Sequence, residues 1–459
     1  MNRLRIRWND GKRSVCSATL AAVLVLLAGG ANALANTVWS VSKASSNTSC
    51  SLPSTTTCNT IGAAVSAASP GDVIVVGAGY YNESVDIQTF NLTILGAQAG
   101  RDARVDRHNP TKESIVDATN QTTPGYGAAF YVDASNVVID GFTIQGGTTG
   151  TAASGVWIDY YSIQILNNII QNNAVGVYVY QTYDVLVEQN LFKTNNKGTA
   201  GSLDSDITGL AGFGIAVAGT LDGIAISENE FTGNLATAMY FYSATGGAVT
   251  ENTSRNDASF AVFNNCGYTI FSHNQGQDFG AKQPLPVIGN TPADAAIDVL
   301  YSNLDLQIND NVLEEGKTLG YNGIAFSTII APATTPPFVC DYCQVSGNTV
   351  SRFAGNGIVA EPTAVMTATL DYSVISRNYV EDNENDGILI GLASNNEFNS
   401  LLDNKAEGNH VFDCADDTTG SPTTLIGTLA TADTWINNSG SLNYPTGLCT
   451  SLGIPHDLR

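Results

Sequence analysis

The chain repeats a short pattern of alternating apolar and polar residues, and each repeat contains an asparagine at the same place. The unit reads apolar-x-apolar-x-x-Asn-x-apolar, followed by a short polar turn and a Gly-led segment such as GVWID, GVYVY or GIAVA. Alternation with a period of two over four or five residues is typical of β-strands with one buried face. The period of about 3.6 residues that a helical solenoid needs is absent. The recurring asparagines are Asn168, Asn190, Asn229, Asn252, Asn274, Asn311, Asn348, Asn378 and Asn404.

The spacing of these asparagines predicts a stack of coils. Successive spacings are 22, 39, 23, 22, 37, 37, 30 and 26 residues, so the longer ones resemble a unit of about 22 residues plus a loop. A unit this short cannot bury an apolar face alone, and stacking must supply the core. Three short strands per unit predict an all-β fold, a single-stranded parallel β-helix, with coils about 4.8 Å apart. At one turn of each coil, stacked asparagines can donate to and accept from their neighbours along the axis. A second, looser turn is predicted at Asn172, Asn195, Asn234, Asn256, Asn356 and Asn409.

The ends of the chain differ from the repeats. Residues 1–35 have the features of a secretory signal: a basic start, an apolar run over 18–28 and Ala33-Leu34-Ala35 before the cut. Residues 36–57 form a Ser/Thr-rich lead-in. The β-helix is predicted over 58–412, beginning with a short amphipathic helix that covers the open end, and 413–459 form an irregular C-terminal cap. Insertions between coils are predicted near 196–211, 278–295, 328–341 and 361–370.

The charge balance excludes one class of partner. Without residues 1–35 the chain keeps 14 basic and 41 acidic residues, a net charge of −27. Nucleic acid is a poor partner for such a surface, because phosphate binding needs clustered Lys and Arg. The sequence after residue 35 has no apolar stretch long enough to span a bilayer. We therefore expect an exported protein that binds no nucleic acid and does not span a membrane.

The cysteines allow three local pairs in an oxidising compartment. These pairs are Cys50 with Cys58, Cys340 with Cys343, and Cys414 with Cys449. The spacing leaves the connectivity open. Cys266 remains, and we expect it to be a small buried core residue.

The stretch PGDVIVVGAGYYNESVDIQTFNLTILGA and the asparagine-centred repeats resemble the right-handed parallel β-helix proteins of the pectin-lyase-like superfamily. The resemblance covers about residues 58–412. It implies the right-handed coil and extracellular polysaccharide chemistry: lyases, galacturonidases, esterases and uronan epimerases. The same superfamily also includes non-catalytic adhesins and phage tailspikes.

Aligning the coils on the Gly-led strand predicts a face of aromatic rings that points away from the core. Aromatic rings stack on the apolar faces of sugars, and nearby carboxylates accept hydrogen bonds from hydroxyl groups. The alternative is that Tyr and Trp suit strands and pack on their cross-strand neighbours. The predicted substrate-binding residues are Tyr131, Trp157, Tyr178, Tyr180, Tyr240, Tyr242 and Asp298. In this alignment Ala261 and Phe263 take the two outward positions of the coil after Tyr240.

Two acids on the same face are a candidate calcium site. Asp133 and Asp159 align on successive coils, about 5 Å apart by strand spacing. That separation suits a bridging Ca²⁺ or a pair of carboxyl groups with split pKa values. In pectate lyases, which the chain resembles, acids on this face hold calcium. The alternative is two solvated acids on an acidic surface.

Two further columns are candidates for catalysis. Glu228, Glu251 and His273 lie one residue before consecutive ladder asparagines, in a column with Gln189 and Asp310. An acid and histidine column can transfer protons or bind a metal. Lys193 and Arg255 form a basic column two coils apart, which a lyase could use near the proton it removes. Solvated side chains are the alternative for both columns.

The motifs of individual branches of the superfamily are incomplete. Trp157-Ile158-Asp159-Tyr160 is close to the WIDH string of pectate lyases but has Tyr160 in place of the histidine. Two hypotheses follow: a secreted protein that binds, and either cleaves or epimerises, an extracellular polysaccharide, or a non-catalytic adhesin, matrix or cell-surface binding module.

Overall fold

Each repeat folds into one coil of three short strands, and equivalent strands of successive coils pair in parallel to form three long sheets. The computed structural model describes residues 36–450 except 53–55, 106, 108, 120, 122–126, 200–210, 220–221, 281–286, 289–290, 293, 317–319, 328–338, 361–369, 392–395, 397 and 421–426. The predicted secretory signal and large parts of the predicted insertions lie outside the described residues. No described helix is long and apolar enough to cross a membrane.

We name the three sheets A, B and C in the order in which the chain enters them. The strands of sheet A are Val38–Val41, Thr57–Cys58, Val73–Val76, Thr93–Leu95, Val137–Asp140, Ile163–Leu166, Tyr183–Glu188, Asp222–Ser227, Thr245–Thr250, Gly267–Ser272, Asn303–Leu304, Gln307–Asn309, Cys340–Asp341, Gln344–Ser346, Leu370–Asp371, Val374–Ser376, Ser400–Leu402 and Thr434–Ile436. The strands of sheet B are Gly79–Asn82, Ser114–Asp117, Thr143–Gln145, Ile169–Gln171, Leu191–Lys193, Glu230–Thr232, Thr253–Arg255, Gln275–Phe279, Val312–Gly316, Thr349–Phe353, Tyr379–Glu381 and Lys405–Glu407. The strands of sheet C are Val85–Ile87, Phe130–Val132, Ser154–Ile158, Val175–Tyr180, Phe213–Ala218, Thr237–Tyr242, Ala261–Asn264, Ala295–Leu300, Asn322–Ser327, Ile358–Ala360, Ile388–Ile390, Cys414–Asp416 and Asn443–Tyr444.

The path of one coil shows how the sheets are connected. Ile163–Leu166 lies in sheet A, Ile169–Gln171 in sheet B and Val175–Tyr180 in sheet C, after which Tyr183–Glu188 returns to sheet A. The turn from sheet A to sheet B holds the recurring asparagines, and we call it the ladder turn. The turn from sheet C to sheet A, with the first residues of the sheet A strands, we call the C–A turn.

The core fills the space between the three sheets. Every second residue of a strand points inward, is mostly Val, Ile, Leu or Phe, and packs on the equivalent residue of the next coil. In sheet A, Ile165, Val187 and Ile226 are fully buried examples. Phe192 and Phe231 in sheet B stack with ring centroids 4.8 Å apart. Because every coil buries its apolar face on its neighbours, stability depends on the stack rather than on any single unit.

The asparagine ladder forms as predicted. At Asn229, the backbone N–H and Nδ2 both donate to Oδ1 of Asn252 at 3.0 Å, and Nδ2 also donates to the Val187 carbonyl of the previous coil at 2.8 Å. The same pattern continues through every asparagine in the predicted series and adds Asn438 beyond Asn404. The ladder side chains are buried, so these hydrogen bonds satisfy polar groups that have no access to water.

The turn from sheet B to sheet C, which is the second turn predicted from the sequence, also carries a ladder. Two of its predicted members lie one residue before the true ones. The ladder runs through Asn173, Asn195, Asn234 and Asp257. Asn172 and Asn256 are instead the residues with positive φ just before it, at 56° and 57°. Asn409 belongs to a later ladder that ends in Asp413, and Asn356 bonds to Asn322. A carboxylate accepts hydrogen bonds and has no amide hydrogens to pass on, so aspartate is a natural last member of such a ladder.

All three predicted disulfides are present: Cys50–Cys58, Cys340–Cys343 and Cys414–Cys449. Cys266 is the free cysteine of the described residues, and it is buried as expected. Burial raises the pKa of its thiol to about 12.

Short helical and antiparallel segments complete the fold. Helix α1, Ile61–Ala67, begins at Thr60, whose side chain accepts a hydrogen bond from the Ala63 N–H. Glu83 accepts from the first two helical N–H groups at 3.0 and 2.9 Å, which suits the positive end of a helix. Two 3₁₀ turns lie at Pro110–Lys112 and Thr428–Ala430, and Val287–Ile288 pairs antiparallel with Thr291–Pro292. Sheets A and C continue past residue 412, so the sequence pattern fades before the sheets end.

Candidate functional site

The outward row predicted on sheet C exists, with one shift. Tyr131, Trp157 and Tyr178 are paired in register on successive coils, and the row continues through Ala216, Tyr240, Val262 and Asp298. Val262 takes the place predicted for Ala261, and Asn264 the place predicted for Phe263. The strand register thus places both outward positions of this coil one residue later than the sequence alignment did.

Three of the rings in this row are buried, which corrects the prediction of an exposed aromatic face. Trp157 and Tyr178 are 3% exposed and Tyr240 is 0% exposed. Trp157 and Tyr178 stack with centroids 4.3 Å apart and planes 5° from parallel, so each covers one face of the other. They belong to a second apolar cluster outside the coil interior, together with Phe213 and Val262 among others. An outward side chain on a β-helix is therefore not always a solvent-exposed one.

Asp298 is buried too, although the sequence predicted it as a contact for substrate. It is 1% exposed and lies between Val262 and Ala325 in the row. Burial, with the nearby charge of Asp294, raises the pKa of Asp298 well above its usual range. A carboxyl group in this position is part of the packed interior rather than of a surface.

A second outward row lies two positions further along each strand, and it is only partly accessible. In this row Asp133 is exposed and Tyr180 and Tyr242 are partly buried at the edge of the second apolar cluster, whereas Ala218 and Leu300 are buried. Tyr131, which belongs to the first row, is partly buried at the same edge. The Tyr131 hydroxyl donates to Asp159 Oδ2 at 3.3 Å. The pKa of Asp159 is raised, mainly by burial and also by the charge of Asp133. The hydrogen bond from Tyr131 lowers it, but by less.

Three tyrosines that the sequence analysis did not select lie next to this row. Tyr160 and Tyr161 follow Asp159 directly in the C–A turn, and Tyr183 opens the next strand of sheet A. Their exposed fractions are 43%, 39% and 46%. The centroids of Tyr160 and Tyr161 are 5.6 Å apart, and those of Tyr161 and Tyr183 are 5.0 Å apart with planes 3° from parallel. We call these three rings the first platform.

A signal for the first platform was present in the sequence. Tyr161 lies seven residues before Asn168, and Tyr183 lies seven residues before Asn190. Because the ladder asparagine fixes the register of each coil, an equal offset places two residues one above the other. Counting back from the ladder would have found the stack that counting forward from the glycines missed.

The acid and histidine column is real, and the backbone explains it. Gln189, Glu228, Glu251, His273 and Asp310 all have φ between 52° and 58°. Each occupies the left-handed position that the ladder turn requires, with its side chain turned outward. Arg104 Nη2 lies 3.2 Å from Glu228 Oε2 and Gln189 Nε2 donates to the same oxygen at 3.1 Å, which gives Glu228 a structural role. His273 Nε2 is 3.9 Å from Asp310 Oδ2, and both side chains are exposed.

The predicted basic column lies on a different sheet from the first platform. Lys193 and Arg255 share a row of sheet B with Thr232 between them. Arg255 lines a groove of about 280 Å³ with Glu230, Gln277 and Glu314 among others. The Arg255 guanidinium donates to the side-chain oxygen of Gln277. The structure does not bring Lys193 or Arg255 together with Asp133 and Asp159.

The candidate calcium ligands Asp133 and Asp159 do fall on successive coils, since Val132 and Ile158 are in register and each is followed by its aspartate. Asp86 lies near them, and burial together with the charge of Asp133 raises its pKa. Within the described part of the chain, no group of three or more His, Cys, Asp or Glu side chains is placed to hold a metal ion. Two carboxylates give fewer oxygen ligands than Ca²⁺ takes, so calcium use stays a prediction.

Comparison with known proteins agrees with this fold. Residues 101–220 match a protein family described as the right-handed β-helix region. No curated protein shows significant sequence similarity to the chain.

Solved structures with a similar chain path include three carbohydrate-active enzymes. An alginate lyase from Paenibacillus sp. str. FPU-7 is 16% identical, with a TM-score of 0.45 over 72% of this chain and 94% of that one. DFA-IIIase from Arthrobacter chlorophenolicus A6 is 15% identical, with a TM-score of 0.38 over 80% and 88%. The GH136 lacto-N-biosidase from Eubacterium ramulus is 13% identical, with a TM-score of 0.41 over 80% and 68%. Likenesses this weak carry no argument about activity. The three stacked parallel sheets show that the chain folds as a parallel β-helix, and residues 101–220 match the family of right-handed β-helix regions.

Proposed function

We propose that the protein is exported and binds a polysaccharide at the C–A turn, over the first platform. The observation that carries this proposal is the parallel stack of Tyr161 and Tyr183, whose rings are more than a third exposed. A tyrosine presents a flat apolar body and a hydroxyl group, and it loses little conformational freedom on binding. Such rings suit sugars, which present apolar faces bordered by hydroxyl groups.

Carboxylates beside the platform supply the polar half of such a site. Asp159 precedes Tyr160 directly, and Asp133 lies one coil below Asp159. Carboxylate oxygens accept hydrogen bonds from sugar hydroxyls. A few placed polar groups beside an apolar surface are the usual composition of a carbohydrate or small-molecule site.

Two features support export. Three disulfides are the pattern of an oxidising compartment, and residues 1–35 have the sequence of a secretory signal. An extracellular polysaccharide is therefore the partner we propose, bound by either an enzyme or a non-catalytic surface module.

Retention on insoluble polysaccharides and affinity electrophoresis in soluble ones test the proposal. We expect the mature protein to be retained by at least one polysaccharide, and the double variant Tyr161→Ala, Tyr183→Ala to lose that retention. Leu442→Ala is the matched control, since it removes another exposed apolar side chain far along the stack. Equal retention of the double variant and the control would refute binding at this turn.

Cleavage or epimerisation of the polysaccharide is a second candidate function, favoured by the groove around Arg255. A cation in a polar groove can stabilise the charge that develops when a proton leaves a uronate. Incubation with uronate-containing polysaccharides, with and without Ca²⁺, tests it through the absorbance of an unsaturated product. Product formation that Arg255→Gln abolishes and Lys193→Gln weakens would establish a lyase, and a flat trace with retained binding would favour the non-catalytic module.

A further inference from the structure

A second set of exposed rings lies along the same C–A turn. One column of this turn consists of the residues six positions before each ladder asparagine from Asn168 to Asn404, and every member has φ between 49° and 71°. Its members are Ser162, Asp184, Gly223, Gly246, Tyr268, Asp305, Tyr342, Tyr372 and Phe398. The column therefore demands a left-handed backbone on coil after coil.

The residue types in this column separate into two groups. Ser162, Asp184 and Asp305, with the two glycines, are small or polar residues of the kind that left-handed positions usually hold. Tyr268, Tyr342, Tyr372 and Phe398 are bulky aromatic residues, for which a positive φ is uncommon and costs conformational energy.

The three tyrosines contribute little to the core, and Phe398 is partly buried. Tyr268, Tyr342 and Tyr372 are 57%, 55% and 50% exposed. Tyr342 stacks on Tyr372 with centroids 5.4 Å apart, and Tyr372 stacks on Phe398 at 4.9 Å with planes 5° from parallel. The Cys340–Cys343 disulfide closes the turn that presents Tyr342. An unfavourable backbone conformation that displays stacked rings to solvent points to a role in binding. We call Tyr342, Tyr372 and Phe398 the second platform.

The two platforms lie on one line parallel to the axis of the stack. The register leads from Tyr183 through Asp222, Thr245, Gly267 and Leu304 to Asp341, the residue before Tyr342. Five coil steps at about 4.8 Å each separate the platforms by about 24 Å. Tyr268 stands between them, three steps from the first platform and two from the second.

The charges along this line are all negative. A second column of this turn, seven positions before the ladder asparagines, runs from Tyr161 to Asp371 beside the column from Ser162 to Phe398. Among their described members the two columns contain no Lys or Arg. They contain the carboxylates Asp184, Asp222, Asp305, Asp341 and Asp371. Carboxylates accept hydrogen bonds from neutral sugars and repel the carboxylates of a polyuronate.

We propose that the C–A turn is one extended binding site for an uncharged polysaccharide, which lies along the axis of the stack and contacts both platforms. The inference rests on the proposed function, which needs only the first platform, and adds the length and the charge class of the ligand. A chain long enough to reach both platforms gains from simultaneous contacts, whereas a short oligosaccharide reaches only one.

The test compares variants of each platform on ligands of two charge classes and several lengths. The first-platform variant is Tyr161→Ala, Tyr183→Ala; the second is Tyr342→Asn, Tyr372→Asn, in which asparagine suits the left-handed backbone. Leu442→Ala is the control. Affinity electrophoresis is run in neutral glucans, xylans, galactans and mannans and in polygalacturonate and alginate. Calorimetry then follows an oligosaccharide series of the neutral polymer that binds.

We expect a neutral polymer to bind, each platform variant to bind it about tenfold or more weakly, and affinity to rise with chain length until the oligosaccharide spans both platforms. Unchanged polymer binding by the Tyr342→Asn, Tyr372→Asn variant, with loss in the first-platform variant, would refute the extended site and leave the proposed function intact. Binding of polyuronates alone would refute the charge class. Full binding by both variants would refute the proposed function as well.

Discussion

The ring of Tyr161 lies flat against the ring of Tyr183 in the next coil, with centroids 5.0 Å apart and planes 3° from parallel. The two residues are 22 positions apart in sequence, the same spacing as Asn168 and Asn190. The ladder at the end of the sheet A strands thus sets the spacing of the rings at their beginning. A rigid solenoid converts a repeat in sequence into a regular surface, and that surface is where we place the function.

The ladder asparagines should be essential for stability. Replacing Asn252 by Leu leaves the Asn229 N–H and the Ile226 carbonyl without their buried partners. We expect the free energy of unfolding to fall by at least about 2 kcal/mol, because each unpaired buried group costs about 1–3 kcal/mol. Chemical denaturation followed by far-UV circular dichroism measures the loss. The neighbouring change Glu251→Ala, at an exposed side chain, is the control; an equal effect from both would contradict the ladder's role.

Asp433 should make the C-terminal end of the stack sensitive to pH. It ends a ladder by accepting from the Asn399 N–H at 2.9 Å, and burial with the charge of Asp416 raises its pKa to about 8. Because the folded-state pKa is raised, the folded protein holds a proton that the unfolded chain releases above its usual pKa. Stability from this group is complete below about pH 4 and is lost as pH rises toward 8.

The variant Asp433→Asn removes that titration. We expect its melting temperature to equal or exceed that of the parent at pH 8 and the difference between the two proteins to shrink toward pH 4. Differential scanning calorimetry across this range measures the difference. A gap that stays constant with pH, or that widens in acid, would show that Asp433 is not held protonated.

The disulfides should differ in their contribution to stability. Cys414–Cys449 closes a separation of 35 residues and Cys340–Cys343 a separation of 3. Chain-entropy reasoning assigns about 4 kcal/mol to the longer loop and about 2 kcal/mol to the shorter one. Paired Cys→Ser variants, compared by denaturant titration, should show the larger loss for Cys414 and Cys449. The reverse order would mean that the short bridge does more than restrict the chain.

The sequence predicted the fold well because one residue type marks every coil. The ladder from Asn168 to Asn404 and most of the outward row of sheet C follow from local patterns and spacing, whereas the spacing of the cysteines allowed the disulfide pairs without fixing them. The predicted positions were one residue early in the coil of Phe260 and at two ladder members, where Asn172 precedes Asn173 and Asn256 precedes Asp257.

The pattern of alternating residues could not predict which outward side chains are exposed to solvent. Period-two alternation says that Trp157 and Tyr178 point outward, but whether an outward ring meets solvent depends on packing outside the coil. The contact between Arg104 and Glu228 joins residues 124 positions apart, and no repeat connects them. Tyr161 and Tyr183 align only when residues are counted backward from the ladder asparagine of each coil, instead of forward from the glycine of the sheet C strand.

The most direct test of the central claim is hydroxyl-radical footprinting of the protein from residue 36 onward, with and without a polysaccharide that retains it. The account predicts protection of Tyr161 and Tyr183 in the bound state, with unchanged oxidation at Leu442, which is exposed away from the site. Protection that falls on sheet B around Arg255, with Tyr161 and Tyr183 oxidised as in the free protein, would contradict it.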